Sequence, residues 1–344
     1  MSASDLMGSA EPLETAFDAA LVDLDGVAYR GPHAIPSAPP ALEATREAGM
    51  KVVFVTNNAS REPGTVADHL SELGIPTTED EVLTAAQAVA LLMREELAPG
   101  ATVYVVGGAG LRTAVTAAGF VIVDSADDKP DAVVQGFHPD VSWKELAEAS
   151  YAISAGARFF ASNKDLTIPN ERGFAPGNGS LVNVVVTATG VTPPGAGKPE
   201  PAMFRLAAEQ AGSRNPIVVG DRLDTDLKGA RAAGYPGLQV LTGVDGIVEA
   251  ILAPPAHRPA FLGRDLSALH IAHPAPSFVD GAWQVGAARV QAADGVLQVL
   301  VDSPGADGLD TARAACAAAW AAADAGEAIT VEGVPHMAVL SDHG

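Results

Sequence analysis

Cysteine, basic residues and long apolar runs are all scarce in this chain of 344 residues. The single cysteine, Cys316, excludes a disulfide within the chain and suits a reducing compartment, so we expect a cytoplasmic protein. Lysine and arginine total 21 against 42 aspartates and glutamates, which gives a formal net charge of −21. This charge disfavours nucleic acid or an anionic membrane as a partner, because either would be repelled. Apolar runs stop well short of the ~18 residues that a membrane-spanning helix needs.

Two carboxylates stand where an apolar run ends. The segment Ala19–Val22 is followed by D-L-D-G-V over Asp23–Val27. Residues i and i+2 of a strand point to the same side, so Asp23 and Asp25 can face one site, and Gly26 permits a sharp exit from the sheet. Acids this close favour a bound cation, and hard oxygen donors without a histidine or cysteine cluster indicate Mg²⁺. If the motif stood alone, a surface Asp-Gly turn would be the favoured reading.

A second motif follows another predicted strand. The β-branched pattern Lys51–Val55 ends in Thr56, Asn57 and Asn58. A hydroxyl and two amides at the carboxyl end of a strand could hold phosphoryl oxygens.

Two more motifs come later in the chain. The sequence G-A-G-K-P over Gly195–Pro199 places Lys198 just before a helical pattern, where a fixed ammonium could neutralise developing charge. The strand pattern Pro216–Val219 then opens into G-D-R-L-D-T-D over Gly220–Asp226. This acidic loop adds metal ligands, Asp221 most directly.

In this order the four motifs resemble those of the haloacid dehalogenase-like phosphohydrolases. The second and fourth resemble the capped subfamily (type C2a) of p-nitrophenyl phosphatases and N-acetylglucosamine-operon phosphatases, which carry a large α/β cap between the second and third motifs. The stretch from Thr56 to Lys198 is long enough for such a cap. The whole chain is further similar to actinobacterial members that hydrolyse glycerol 3-phosphate. Phosphoglycolate, pyridoxal phosphate and sugar phosphates are the alternative substrates.

The resemblance implies a role for each acid. Asp23 would attack phosphorus and form an aspartyl-phosphate, while Asp25 would protonate the leaving group and later activate water. Mg²⁺ would be held by the Asp23 carboxylate, the Asp25 backbone carbonyl and Asp221, with Asp226 behind these ligands.

The resemblance also implies which residues meet the substrate. Thr56 would orient the phosphoryl group and Lys198 would pair with its oxygens, beside Asn57 and Asn58. The polar cap segment 161–180 would face the rest of the substrate, with candidate side chains at Asn163, Asp165, Glu171 and Arg172.

Alternating strand and helix patterns predict an α/β fold with a Rossmann-like parallel-sheet core. The N-terminal residues through about Thr15 are expected to be a frayed tail, and residues 258–262 to form the final core strand. The predicted domains are a core in two parts, an α/β cap between them and a small C-terminal ββαβ module, over 1–80 and 193–272, 81–192, and 273–344, respectively.

The module is predicted from short patterns. They are strands over 283–290, 296–301 and 328–331, a helix over 309–323, and a tight turn at Asp294 and Gly295. It could pack against the core, mediate dimerisation or bind a protein partner, and copies could also associate through the cap.

Two other functions remain open. A strand over Thr102–Val106 runs into Gly107, Gly108 and Gly110 and imitates a dinucleotide-binding turn, as in a nucleotide-dependent oxidoreductase, although the third glycine of that motif is missing. The C-terminal module could instead make the chain mainly a partner-binding scaffold.

Overall fold

The computed structural model describes residues 6–170, 172–305, 307–327 and 329–334. The chain divides into two compact units, one made of Met1–Val53 with Ala211–Gly344 and the other of Phe54–Gln210. Both are mixed α/β structures with parallel sheets, as the sequence predicted. The segment predicted as a cap, 81–192, lies wholly within the second unit.

The prediction of a frayed N-terminal tail is wrong for its described part. Leu13 is fully buried, the Met7 N–H donates to the Ala260 carbonyl at 2.8 Å, and Ser9 forms an antiparallel bridge with His273. Apolar burial and backbone hydrogen bonds therefore anchor this segment. The first elements are α1 (Leu13–Ala16), β1 (Ala19–Val22), β2 (Tyr29–Arg30), β3 (His33–Ala34), α2 (Ala38–Glu47) and β4 (Lys51–Thr56).

The second unit is built on a four-stranded parallel sheet. Its elements are α3 (Pro63–Glu72), β5 (Val82–Thr84), α4 (Ala85–Glu96), β6 (Thr102–Val106), α5 (Ala109–Ala117), β7 (Val121–Val123), β8 (Ala132–Gln135), α6 (Trp143–Ser154), β9 (Arg158–Ala161), β10 (Thr167–Asn170), β11 (Gly173–Pro176), α7 (Asn178–Thr189) and α8 (Pro201–Ala211). The sheet order is β7-β6-β8-β9. Capping boxes begin two of its helices, Thr84 with Gln87 at α4 and Ser142 with Glu145 at α6.

The segment predicted as a substrate-facing loop contains regular structure that its sequence did not reveal. Strands β10 and β11 pair as an antiparallel hairpin, and α7 begins at Asn178. Gly173 and Pro176 are the first and last residues of β11, and Gly177 precedes α7, so these residues mark the ends of short elements rather than one continuous loop.

The first unit resumes with a buried parallel sheet. Its elements are β12 (Pro216–Gly220), α9 (Lys228–Ala233), β13 (Gly237–Val240), α10 (Ile247–Ile251) and β14 (Phe261–Gly263), and its strand order is β14-β13-β12-β1. The core strand predicted at 258–262 begins only at Phe261. Pro259 has no N–H to donate to a neighbouring strand, and the Arg258 guanidinium is bonded to the Asp324 carboxylate. Strands β1 and β12 pair in parallel, with Leu21 opposite Val218.

The C-terminal module is a four-stranded antiparallel sheet followed by a helix. Its elements are β15 (Ser277–Val279), β16 (Ala282–Val285), β17 (Ala288–Ala293), β18 (Val296–Val301) and α11 (Asp310–Asp324), and its strand order is β15-β16-β17-β18. The predicted turn at Asp294 and Gly295 is confirmed, because both residues have positive φ angles of 53° and 76°.

The predicted ββαβ order is wrong in three places. The strand predicted over 283–290 is two strands, because Gly286 turns the chain at a φ of +56°. Strand β15 was not predicted. The strand predicted over 328–331 is not formed by its described residues, since Ile329 and Thr330 are irregular and Val331 begins a 3-10 turn; Ala328 lies outside the described residues.

The C-terminal helix is integral to the core of the first unit. Its buried apolar side chains pack with Ile247, Ile251 and Leu262 of the parallel-sheet part. The Trp320 indole N–H donates to the Ala250 carbonyl at 3.0 Å. Within the described part of the chain, no helix is both long and apolar enough to span a bilayer.

Candidate active site

Three carboxylates converge where β1 and β12 end. These strands are parallel neighbours, so the residues that follow them leave the same edge of the sheet, and the Asp23 N–H donates to the Val219 carbonyl at 2.9 Å. Ligand oxygens of Asp23, Asp221 and Asp226 lie within 4.8 Å of one another. Asp221 and Asp226 are buried and Asp23 is partly buried. Three carboxylate oxygens in this arrangement fit a hard divalent cation such as Mg²⁺.

The orientation of Asp221 depends on glycine backbone. The Val244 N–H donates to Asp221 Oδ2 at 2.7 Å. A Cβ on Gly26 would lie 2.4 Å from this oxygen and one on Gly243 would lie 1.8 Å from it. Gly26 also has a φ of +82°, which other residues rarely adopt. Both positions therefore require glycine if the carboxylate is to keep its place.

Asp226 is brought to the other two acids by a π-helical turn over Leu223–Leu227. Its Oδ2 accepts hydrogen bonds from the Arg222 N–H at 3.3 Å and the Thr225 hydroxyl at 3.4 Å. The sequence analysis placed Asp226 behind the predicted metal ligands; in the structure a carboxylate oxygen of Asp226 lies within 4.8 Å of those of Asp23 and Asp221. A turn of this kind has no sequence signature that would have shown it.

Asp245 stabilises the acidic loop Gly220–Asp226 through two hydrogen bonds. It was not identified from the sequence. Its carboxylate accepts the Leu223 N–H at 2.7 Å, and its own N–H donates to the Asp221 carbonyl at 3.2 Å. Burial raises the pKa of Asp245, and the hydrogen bond from Leu223 opposes that rise. No motif marked this residue, because it acts from a loop that follows a different strand.

Asp25 occupies a different setting from the three clustered acids. It is exposed, and the turn after it is closed by the Gly26 N–H to the Tyr29 carbonyl at 2.8 Å and by the Thr242 hydroxyl to the Gly26 carbonyl at 2.6 Å. The structure thus separates Asp25, an exposed acid, from a carboxylate cluster that suits a metal. The roles assigned to the Asp25 side chain and carbonyl stay predictions.

The second unit holds the motif after β4. Thr56 is buried, and its Oγ1 accepts the Asn58 N–H at 3.1 Å. Asn58 is exposed, and its side-chain carbonyl accepts both the N–H and the hydroxyl of Ser60 at 2.8 and 2.9 Å. The side-chain carbonyl of Asn58 therefore stabilises the turn that follows β4.

Asn57 joins this motif to Lys198. Its Oδ1 accepts the Lys198 N–H at 2.7 Å, and its Nδ2 donates to the Lys198 carbonyl at 3.0 Å and to Asp165 Oδ2 at 2.9 Å. The Asn163 side chain donates to the Asn57 carbonyl at 2.7 Å. Four residues predicted for the site from distant parts of the sequence thus form one hydrogen-bonded cluster.

Of the remaining cap candidates, Arg172 falls in the described part of the β10–β11 hairpin. Arg172 is exposed at its turn, whereas Asn163 is buried. Glu171 lies outside the described residues.

The glycines that imitate a dinucleotide-binding turn have a packing role. The Gly110 N–H donates to the Ser60 carbonyl at 3.2 Å, and a Cβ on Gly110 would lie 2.3 Å from the Arg61 carbonyl oxygen. A Cβ on Gly108 would lie 3.0 Å from the Ser60 carbonyl oxygen. The backbone of Ser60 and Arg61 therefore packs directly against these glycines.

The chain is similar in sequence to known hydrolases and phosphatases. The family model described as haloacid dehalogenase-like hydrolase matches residues 20–121, and one described as HAD-hydrolase-like matches residues 195–269. The D-glycerol 3-phosphate phosphatase of Mycobacterium tuberculosis is 44% identical over 316 residues, which cover 89% of this chain and 86% of the relative. The acid sugar phosphatase of Staphylococcus saprophyticus is 40% identical over 230 residues, 66% of this chain and 88% of the relative.

The chain is also similar to solved structures of phosphatases. The crystal structure of a glycerol phosphate phosphatase from Mycobacterium tuberculosis in complex with magnesium has a TM-score of 0.83 at 42% identity, covering 90% of this chain and 92% of the other. A 4-nitrophenylphosphatase from Thermotoga maritima has a TM-score of 0.69 at 28% identity, covering 75% and 98%.

Proposed function

The chain belongs to the haloacid dehalogenase-like hydrolase family, whose phosphatases use Mg²⁺, and within it we propose that this enzyme hydrolyses glycerol 3-phosphate to glycerol and phosphate. The carboxylate cluster of Asp23, Asp221 and Asp226 is the observation that carries the chemistry. The 44% identity to a D-glycerol 3-phosphate phosphatase over 89% of the chain supports the substrate.

The proposed reaction has two displacements at phosphorus. An Asp23 carboxylate oxygen forms a bond to phosphorus while the bond from phosphorus to the glycerol oxygen breaks, and Asp25 gives its proton to the departing alkoxide. Asp25 then takes a proton from water, whose oxygen attacks phosphorus and releases Asp23. At the end of the cycle Asp25 again carries its proton and the Asp23 carboxylate is free.

The other residues supply charge and position. Mg²⁺ would be held by the carboxylates of Asp23, Asp221 and Asp226 and by the Asp25 backbone carbonyl, and would screen the repulsion between an anionic nucleophile and an anionic substrate. This screening is needed all the more in a chain whose formal net charge is −21. Thr56 and Lys198 are proposed to orient and neutralise the phosphoryl oxygens, as the family resemblance implies.

A sugar phosphate is the second candidate substrate, because an acid sugar phosphatase is 40% identical over 66% of the chain. Glycerol 3-phosphate is favoured, since similarity to the glycerol 3-phosphate enzyme covers 89% of the chain. We also propose a cytoplasmic location, small-molecule phosphate esters as the partners, and recycling of phospholipid glycerol as the context. Association of copies through the cap or the C-terminal module stays a prediction.

The test is phosphate release from glycerol 3-phosphate, phosphoglycolate, pyridoxal phosphate, a sugar phosphate and p-nitrophenyl phosphate, each with Mg²⁺ or with chelator. We expect the highest kcat/KM for glycerol 3-phosphate and no turnover with chelator. A higher kcat/KM for a sugar phosphate would favour the second candidate, and full turnover with chelator would remove the metal from the proposal.

A further inference from the structure

The side-chain amide of Asn57 is committed to the protein rather than left for a ligand. A primary amide carries two N–H donors, and those of Asn57 are given to the Lys198 carbonyl at 3.0 Å and to Asp165 Oδ2 at 2.9 Å. Its carbonyl accepts the Lys198 N–H at 2.7 Å. Asn57 therefore binds both backbone polar groups of one residue and the carboxylate of another.

The arrangement is specific to a planar amide of this length. A donor and an acceptor must point side by side to meet the C=O and the N–H of the same residue, as the Asn57 amide does with Lys198. Carboxylates present only acceptors, and a longer side chain would place the amide plane elsewhere. The third bond, to Asp165, is charge-assisted and so among the stronger of its kind.

The backbone around the cluster is built to allow this approach. A Cβ on Gly197 would lie 2.5 Å from Asn57 Oδ1 and 2.8 Å from the Ser162 carbonyl oxygen. The Gly197 N–H donates to that Ser162 carbonyl at 2.7 Å. Gly197 is therefore in close contact both with Ser162, which follows β9, and with the Asn57 side-chain amide.

The cluster extends into the substrate-facing segment of the cap. The Asn163 side chain donates to the Asn57 carbonyl at 2.7 Å, and its Oδ1 accepts the Asp165 N–H at 3.2 Å. Buried Asn178 donates to the Asn163 carbonyl at 2.7 Å. The motif after β4, the lysine segment and the cap loop are therefore linked by consecutive hydrogen bonds.

We propose that Asn57 is a positioning residue that fixes the backbone of Lys198 and the carboxylate of Asp165 in one arrangement, and that it does not bind the substrate itself. This revises the substrate-binding role predicted for it from the sequence. The inference rests on the proposed function for its kinetic consequence alone, because the hydrogen bonds exist without a substrate. Lys198 is buried, so its ammonium can move little unless its backbone moves.

Two readouts test the proposal on the full chain. The first is hydrogen exchange at the Lys198 amide without substrate, in the wild type, Asn57→Ala and Asn57→Gln. We expect both variants to exchange this amide at least about tenfold faster, because its acceptor is removed or misplaced. The matched control is Asn183→Ala, which removes an exposed amide from α7 and should leave that exchange unchanged.

The second readout is a comparison of kcat and KM for glycerol 3-phosphate and p-nitrophenyl phosphate. We expect Asn57→Ala to lower kcat by about 10- to 100-fold for both substrates, because a misplaced lysine affects the phosphoryl group that they share. We expect Asp165→Ala to have a smaller effect in the Asn57→Ala background than in the wild type, because the two residues act through one bond.

Unchanged exchange at Lys198, together with a higher KM for glycerol 3-phosphate alone, would overturn the proposal and make Asn57 a substrate ligand. Failure of the proposed function is distinguishable. An enzyme that does not hydrolyse glycerol 3-phosphate would still show faster Lys198 exchange in both Asn57 variants. If Asn57→Ala does not fold, Asn57→Gln carries both readouts with the amide retained.

Discussion

Gly243 lies so close to Asp221 that a Cβ on it would stand 1.8 Å from Asp221 Oδ2. The next residue, Val244, donates its N–H to the same oxygen at 2.7 Å. A loop that bears no ionisable side chain at these two positions therefore sets the direction of a proposed metal ligand. The contact makes the metal site sensitive to a residue that has no ligand atom of its own.

Gly243→Ala should weaken the metal site without removing a ligand. The new methyl group must displace the Asp221 carboxylate, and disturbing the support of a ligand typically costs about 10- to 100-fold in metal affinity. The measurement is the Mg²⁺ concentration that gives half-maximal phosphate release. Gly64→Ala is the control, since its Cβ would meet nothing closer than Glu79 Oε2 at 3.6 Å. Equal Mg²⁺ requirements for Gly243→Ala and the wild type would refute the role assigned to this contact.

Asp226→Asn should also weaken Mg²⁺ binding, by about tenfold or more, if its carboxylate is a ligand as its position among the clustered acids suggests. The measurement is calorimetric titration of the substrate-free protein with Mg²⁺. An affinity equal to that of the wild type would contradict a ligand role for Asp226.

Trp320→Ala should destabilise the whole first unit. The side chain is 3% exposed, packs in the apolar cluster that includes Ile247 and Leu262, and donates to the Ala250 carbonyl. We expect the free energy of unfolding to fall by about 3–5 kcal/mol, as for other buried aromatic residues cut to alanine. Trp143→Ala is the matched control, because Trp143 is 77% exposed and its removal should change stability little. Equal stability of the two variants would mean that the C-terminal helix is not part of the core.

Cys316 should be unreactive in the folded protein. Full burial raises the pKa of its thiol to about 12, so almost no thiolate forms at neutral or mildly alkaline pH. A chromogenic disulfide reagent at pH 8 should release no colour from the native protein and one equivalent after denaturation. Rapid reaction of the native protein would contradict the burial of this thiol.

The sequence predicted those parts of the site that depend on strand order. Asp23 and Asp221 each follow a buried apolar run, and parallel strands bring such ends to one edge. Asp226 could not be placed in the same way, because its position depends on a π-helical turn. The Asn57 bonds to Lys198 and Asp165 join residues more than a hundred positions apart, and no local pattern encodes such a pairing.

The fold, too, could be predicted from the sequence only where local patterns determine it. The turn at Asp294 and Gly295 was predicted because those residue types tolerate positive φ, whereas Gly286 sits within a run that reads as one strand. Leu6 looks like part of a polar tail in the sequence, yet it is buried in an apolar cluster with Cys316 and Trp320 of the C-terminal helix. Local propensity predicts elements, and long-range packing decides where they stop.

The most direct test of the proposed mechanism is a search for phosphoryl-Asp23 in enzyme quenched with acid during turnover of glycerol 3-phosphate with Mg²⁺. Mass spectrometry of the peptide that contains Asp23 should show the gain of one phosphoryl group, which Asp23→Asn should lose together with at least about 10³-fold of kcat. Asp224→Asn, which neutralises an exposed acid paired with Arg222, should keep both. Turnover without the phosphorylated peptide, or wild-type turnover by Asp23→Asn, would contradict the mechanism.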